Sequence, residues 1–210
     1  MESLAIFGLV VGMRHALEAD HLSAVASLIA NGASGRGAVA LGALWGLGHT
    51  STLLVVGGSV LVSGTQLPPV WSPLFELLVG LMLLALGVDV LRRHLARHSG
   101  AKPAACEQVP RARAFAVGIV HGLAGSAALM LLVASSAATL GQGFLDLALF
   151  GIGSIGGMAL LSLILSLSLH YASARARVLG RGFVVVVGLT TVAVGAGLAF
   201  QHSTQVSWSH

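Results

Sequence analysis

The residues with the most chemical capacity in this chain stand together near its start, in Arg14-His15-Ala16-Leu17-Glu18-Ala19-Asp20-His21. Imidazole nitrogens with one or two carboxylate oxygens suit late first-row divalent metals, whereas magnesium or calcium asks for mostly oxygen. His49 and His121, each followed by small residues, carry two more imidazoles. The spacing is awkward for one site. On a regular helix His15, Asp20 and His21 differ by about 140° and 100° in turn, so either the helix unwinds there or the ligands act in succession; Gly12 is a candidate place for a break. Arg14 and Glu18, four apart, are expected to neutralise each other.

The elements that must position these groups are set by lipid. Of the 210 residues 56% are hydrophobic and 9% charged, with mean hydropathy +0.92, more apolar surface than one water-soluble core can hide. The 28 glycines, set against few aromatics, suit membrane helices whose backbones approach closely. Hydrophobic stretches run roughly over Ser3–Ile29, Ala38–Val62, Pro73–Leu91, Phe115–Ala138, Phe144–Tyr171 and Phe183–Phe200, each long enough for a hydrocarbon core of about 30 Å. The expected fold is therefore an all-α membrane protein of six transmembrane helices. His15 falls about 18 Å into the first at 1.5 Å per residue, near the midplane, and His49 and His121 reach the same layer. A titratable group at that depth costs roughly 2.5 to 3.5 kcal/mol on insertion scales and normally faces a bundle interior or marks a pathway.

Arg36, the group Arg92, Arg93, Arg97, Lys102, Arg111 and Arg113, and the group Arg175, Arg177 and Arg181 fall on one side if the helices alternate, and the remaining loops carry no Lys or Arg. The positive-inside rule puts those loops in the cytoplasm and both termini outside, leaving only Arg14 within a span. The formal charge of +4 is thus topological, and no nucleic-acid partner is expected. Cys106 has no second cysteine to pair with and reads as an inert loop thiol.

The two halves resemble each other. Gly12-Met-Arg-His15 recurs as Gly118-Ile-Val-His121, Trp45-Gly-Leu-Gly-His49 as Phe150-Gly-Ile-Gly-Ser154, and Phe75, Gly80, Leu81 and Gly87 align with Phe183, Gly188, Leu189 and Gly195. Three helices per copy means the second enters from the opposite side, an inverted repeat of the kind transporters use, with the substrate near mid-membrane. The division expected is 1–91 for the first three-helix repeat, 92–113 for a basic cytoplasmic loop, 114–201 for the second repeat and 202–210 for a short outer tail.

Arg14-His-Ala-Leu-Glu-Ala-Asp-His21-Leu22 resembles the Arg-His-Ala-x-x-Ala-Asp-His-Ile signature of the nickel/cobalt transporter family. Gly46-Leu-Gly-His49-Thr50-Ser51-Thr52 is similar to its Leu-Gly-His-Ser-Thr element, and His121-Gly-Leu-Ala-Gly-Ser126-Ala-Ala128 resembles the fourth helix of its short branch, the UreH-like urease accessory proteins. The resemblance implies a nickel or cobalt permease of the cytoplasmic membrane, with His15, Asp20 and His21 essential and His49 close to the path. Further acidic motifs of the longer eight-helix members are absent from this sequence.

The expected metal site is accordingly His15, Asp20, His21 and His49, with Glu18, Thr50, His121, Ser126 and Ser154 along the path or around it. Ni2+ or Co2+ would be cargo, with no cofactor; protonation near an unperturbed imidazole pKa of about 6.5 would favour release. His15-x4-Asp20 also fits an acyltransferase base, but it is buried in a span without a nucleophile elbow, so no enzyme is expected. Other readings are efflux, export of an anion, for which Arg14 alone sits at depth, and a non-transporting assembly factor for urease or hydrogenase. Besides lipid and metal, the partners expected are a second copy or a metalloenzyme maturation complex.

Overall fold

The structure is a computed structural model that describes residues 2–30, 33, 35–65, 68, 70–96, 110–124 and 139–207. Seven helices make up the described residues: α1 Glu2–His15, α2 Ala19–Ile29, α3 Arg36–Ser63, α4 Trp71–Ala96, α5 Arg111–Ala124, α6 Leu140–Arg175 and α7 Arg177–Ser207. Four of these, α3, α4, α6 and α7, are long and apolar enough to cross a membrane. Leucine, valine and isoleucine side chains such as Val55, Val62, Ile152 and Val186 point outward, as lipid-facing residues do. The chain is a membrane protein whose described residues are helical apart from short connections.

The first expected span differs from a single helix. It is cut into α1 and α2, and the break falls at Ala16–Glu18, four residues past the glycine named for it. The last turn of α1 tightens, with Leu17 N–H donating to Arg14 O and Glu18 N–H to His15 O, and Glu18 is extended at φ −63°, ψ 150°. A new helix then needs partners for its leading N–H groups, and Asp20 in its first turn lends a carboxylate to that positive end. The fourth expected span begins as α5, and its remainder, with Ser126, lies outside the described residues.

The basic segments are also more helical than turns. α4 continues through Ala96 with Arg92 and Arg93 on it, and a single residue, Ala176, separates α6 from α7 where an Arg-rich turn was expected. Asp89 joins the ends of α4 and α5, its Oδ1 2.9 Å from Arg93 Nε and its Oδ2 2.9 Å from Arg113. α3 stops at Gly64, whose φ of +64° is the left-handed conformation that closes a helix. α6 starts on Thr139, whose side chain accepts from Gln142 N–H.

Glycines let the helices meet backbone to backbone. A Cβ on Gly12 (α1) would fall on Phe150 O of α6, and one on Gly118 (α5) on Trp45 O of α3. Gly153 of α6 faces Leu9 O as Gly48 of α3 faces Phe115 O, while Gly80 and Gly87 of α4 meet Gly195 O and Gly188 O of α7. The core runs through the middle of this assembly, with Ala24, Val25, Leu28, Trp45, Leu83 and Met158 among its buried members.

Candidate metal centre

Four imidazoles converge where α1 breaks. The ring of His21 lies 4.3 Å from that of His15, 5.2 Å from that of His49 and 4.1 Å from that of His121; His15 and His49 are 5.3 Å apart. The break in the first helix is what permits this, because it re-aims α2 so that His21 turns toward His15 instead of diverging from it. His49 comes from the middle of α3 and His121 from α5, and α3 and α5 approach closely because Gly48, Gly118 and Gly122 offer no Cβ between them.

The nitrogens divide into two kinds. One kind meets a carboxylate: His15 Nδ1 is 2.9 Å from Glu18 Oε1, His21 Nδ1 is 3.0 Å from Asp20 Oδ1, and His121 Nε2 is 2.9 Å from Asp20 Oδ2. Asp20 Oδ1 also accepts the backbone N–H of its neighbour His21 at 2.9 Å. The other kind is buried with no hydrogen-bond partner among the described residues: His15 Nε2, His21 Nε2, both nitrogens of His49, and His121 Nδ1. Leaving a buried polar atom unpaired costs about 1–3 kcal/mol each, so the cluster is held against that cost by something it does. A metal-binding histidine offers one nitrogen to the ion and gives the other N–H to a carboxylate or carbonyl, and His15 and His21 match that division.

One potential ligand atom from each of His15, His21 and His49 lies within 4.8 Å of the other two, and the same holds for Asp20, His21 and His121. The two groups share His21. Among the described residues these are the sets of three or more His, Cys, Asp or Glu side chains close enough to hold an ion. His21, His49 and His121 are buried, and Asp20 and His15 are partly so.

The structure thus gathers His15, Asp20, His21, His49, Glu18 and His121. Glu18, expected to pair with Arg14, turns to His15 instead, because the extended backbone at Glu18 no longer stacks it one turn above Arg14. Thr50 and Ser154 serve elsewhere as ties between helices: Thr50 Oγ1 donates to Gly151 O at 3.2 Å and Ser154 Oγ to Gly12 O at 3.3 Å. His170, on α6, is exposed and apart from the cluster.

Trp45 is the residue that sequence reasoning used only as a repeat marker. Fully buried, it lies 5.5 Å from His21 and 5.6 Å from His121 between ring centroids, and its Nε1 has no partner among the described residues. Phe150 stands 5.3 Å from His15 on the other side. Its depth in a Gly-rich helix one turn before a histidine was the available signal.

The chain is similar to the urease accessory protein UreH of Bacillus sp. (strain TB-90), 29% identical over 205 residues that cover 92% of this chain and 89% of that one. No protein-family profile matches the chain, and no solved structure does.

Proposed function

We propose that this protein carries a divalent transition-metal ion, nickel or cobalt, across the cytoplasmic membrane through the histidine cluster at the break between α1 and α2. The observation that carries the reading is the division of nitrogens in that cluster: carboxylates hold one side of His15 and His21, while their Nε2 atoms and both nitrogens of His49 are buried and unpaired among the described residues. Three imidazoles with neutral donor nitrogens favour a borderline metal over a hard one. Asp20 and Glu18 then act as orienting groups behind the ligands, and His121 is tied to the site through Asp20.

Transport as an inverted repeat is supported by the pairing of helix contacts. Gly12 rests on Phe150 and Ser154 as Gly118 rests on Trp45 and His49, and Gly80 meets Gly195 as Gly87 meets Gly188. Those are the positions that correspond between the two halves of the sequence. A two-fold relation of this kind gives a protein two equivalent packings of its halves around one central site, which is the mechanical requirement of alternating access. Both termini lie outside in this reading, and of the six spans α1 with α2, α3, α4, α6 and α7 supply five, while α5 begins the fourth, whose remainder lies outside the described residues.

The likeness to a urease accessory protein favours nickel as the cargo and keeps a second reading in play: a membrane scaffold that supports assembly of a nickel enzyme. Radioactive nickel accumulation, with cobalt and zinc as competitors, separates the two in cells that lack their own nickel uptake. Import that requires His21 and His49 at matched membrane levels establishes a permease. Absence of both accumulation and, in preloaded cells, extrusion refutes transport and leaves the scaffold.

A further inference from the structure

Glu76 is an acidic side chain within an apolar helix that the central cluster does not use. It occupies the second turn of α4, half-buried, and among the described residues no hydrogen bond or ion pair within 4 Å holds it. Carboxylates in spanning helices are costly and mark pathways. What lies opposite is set by the packing of α4 on α7: Gly80 meets the backbone of Ala199 and Gly195 meets that of Leu84. One turn further toward the start of α4 and the end of α7, Glu76 is level with His202 and Ser203. Glu76 and His202 thus share the end of the α4–α7 pair that is remote from Arg93.

His202 is half-buried, with Nδ1 3.1 Å from Gln205 Oε1. With Nδ1–H donating in that contact, Nε2 would be the nitrogen left to coordinate, the arrangement seen behind metal-binding imidazoles. An oxygen and a nitrogen donor on neighbouring helices, completed by water, make a low-affinity position for a first-row divalent cation.

We propose that Glu76 and His202 form a second cation site, a loading position from which the ion passes inward to the histidine cluster; this rests on the transport reading above. The test is equilibrium dialysis of the purified full-length chain in lipid nanodiscs against Ni2+ alone, together with uptake kinetics. Wild type binds two ions per chain. Glu76→Gln and His202→Ala each leave one, Glu76→Asp restores the second, and the uptake KM of the first two variants rises about tenfold with the maximal rate within about twofold. His202, itself half-buried, lies in the last turns of α7 among exposed neighbours, so His202→Ala carries the test should Glu76→Gln fail to insert. Nickel stoichiometry and KM unchanged in both variants, with binding lost in His21→Ala, overturn the loading site and leave the central site standing. Wild type that binds no nickel overturns both.

Discussion

Asp20→Asn is the substitution that most directly separates an orienting carboxylate from a metal ligand. The side chain keeps its shape, and its remaining oxygen can still accept the His21 backbone N–H, but the carboxylate now bridges His21 Nδ1 at 3.0 Å and His121 Nε2 at 2.9 Å. An amide offers one oxygen and one NH2, so at least one imidazole loses its acceptor, and both lose a charged one. Bonds to charged groups are worth about 1.5–3 kcal/mol against about 1 kcal/mol for neutral pairs. Two such bonds weakened by about 1 kcal/mol each amount to about 2 kcal/mol, or roughly thirtyfold in affinity, inside the 10–100-fold range of orienting partners at metal sites. The assay is nickel affinity by chelator competition in nanodiscs, paired with nickel-edge X-ray absorption to count nitrogen and oxygen scatterers. The variant should bind about thirtyfold more weakly with an unchanged ligand set. Adding His121→Ala to it should cost little more, a coupling of about 1 kcal/mol in the double-mutant cycle. Loss beyond about a thousandfold together with a missing oxygen scatterer would place Asp20 on the ion, and unchanged affinity would mean its bonds to the imidazoles do not shape the site.

Two further outcomes follow from packing. Gly118→Ala puts a methyl group onto Trp45 O and should destabilise the protein by about 1–3 kcal/mol, whereas Gly156→Ala, whose Cβ meets nothing within 4 Å, should be neutral or stabilising; equal losses in thermal scans of the two in detergent would contradict the close approach of α3 and α5. Trp45→Phe retains a ring between His21 and His121 while removing an indole N–H that has no partner among the described residues, so the loss should be that of the cavity left by the smaller ring, about 1–2 kcal/mol, and a loss of about 4 kcal/mol or more would reveal a bond to that N–H.

Much of the scaffold was legible in hydropathy. The stretches at Ala38–Val62, Pro73–Leu91, Phe144–Tyr171 and Phe183–Phe200 appear as α3, α4, α6 and α7, the first nearly unchanged and the other three extended, by up to five residues for α4, four for α6 and seven for α7. The extension has a physical source, since apolar windows end where charge begins, while a helix runs on past the lipid boundary as long as its backbone bonds are satisfied, as α4 does beneath the Asp89 ion pairs. His15, Asp20, His21 and His49 stood out because four titratable groups in apolar surroundings need a reason. Glu76 met the same criterion, yet a solitary carboxylate gave no pattern against which to read it.

The sequence by itself determined that the chain lives in lipid, where its four long helices run, and which histidines and carboxylates near its start had to face inward, because transfer free energy and small-residue packing depend on residue type. Three things were decided only by the tertiary structure. The first helix breaks at Ala16–Glu18, a choice that local propensity leaves open because Ala, Leu and Glu are good helix formers. Glu18 pairs with His15 instead of Arg14, and Asp20 reaches His121 a hundred and one positions away. Trp45 covers two of the imidazoles. Each depends on which helix faces which and at what height, and that is fixed by glycine contacts between distant segments, a collective property of the packed bundle that no local window of sequence contains.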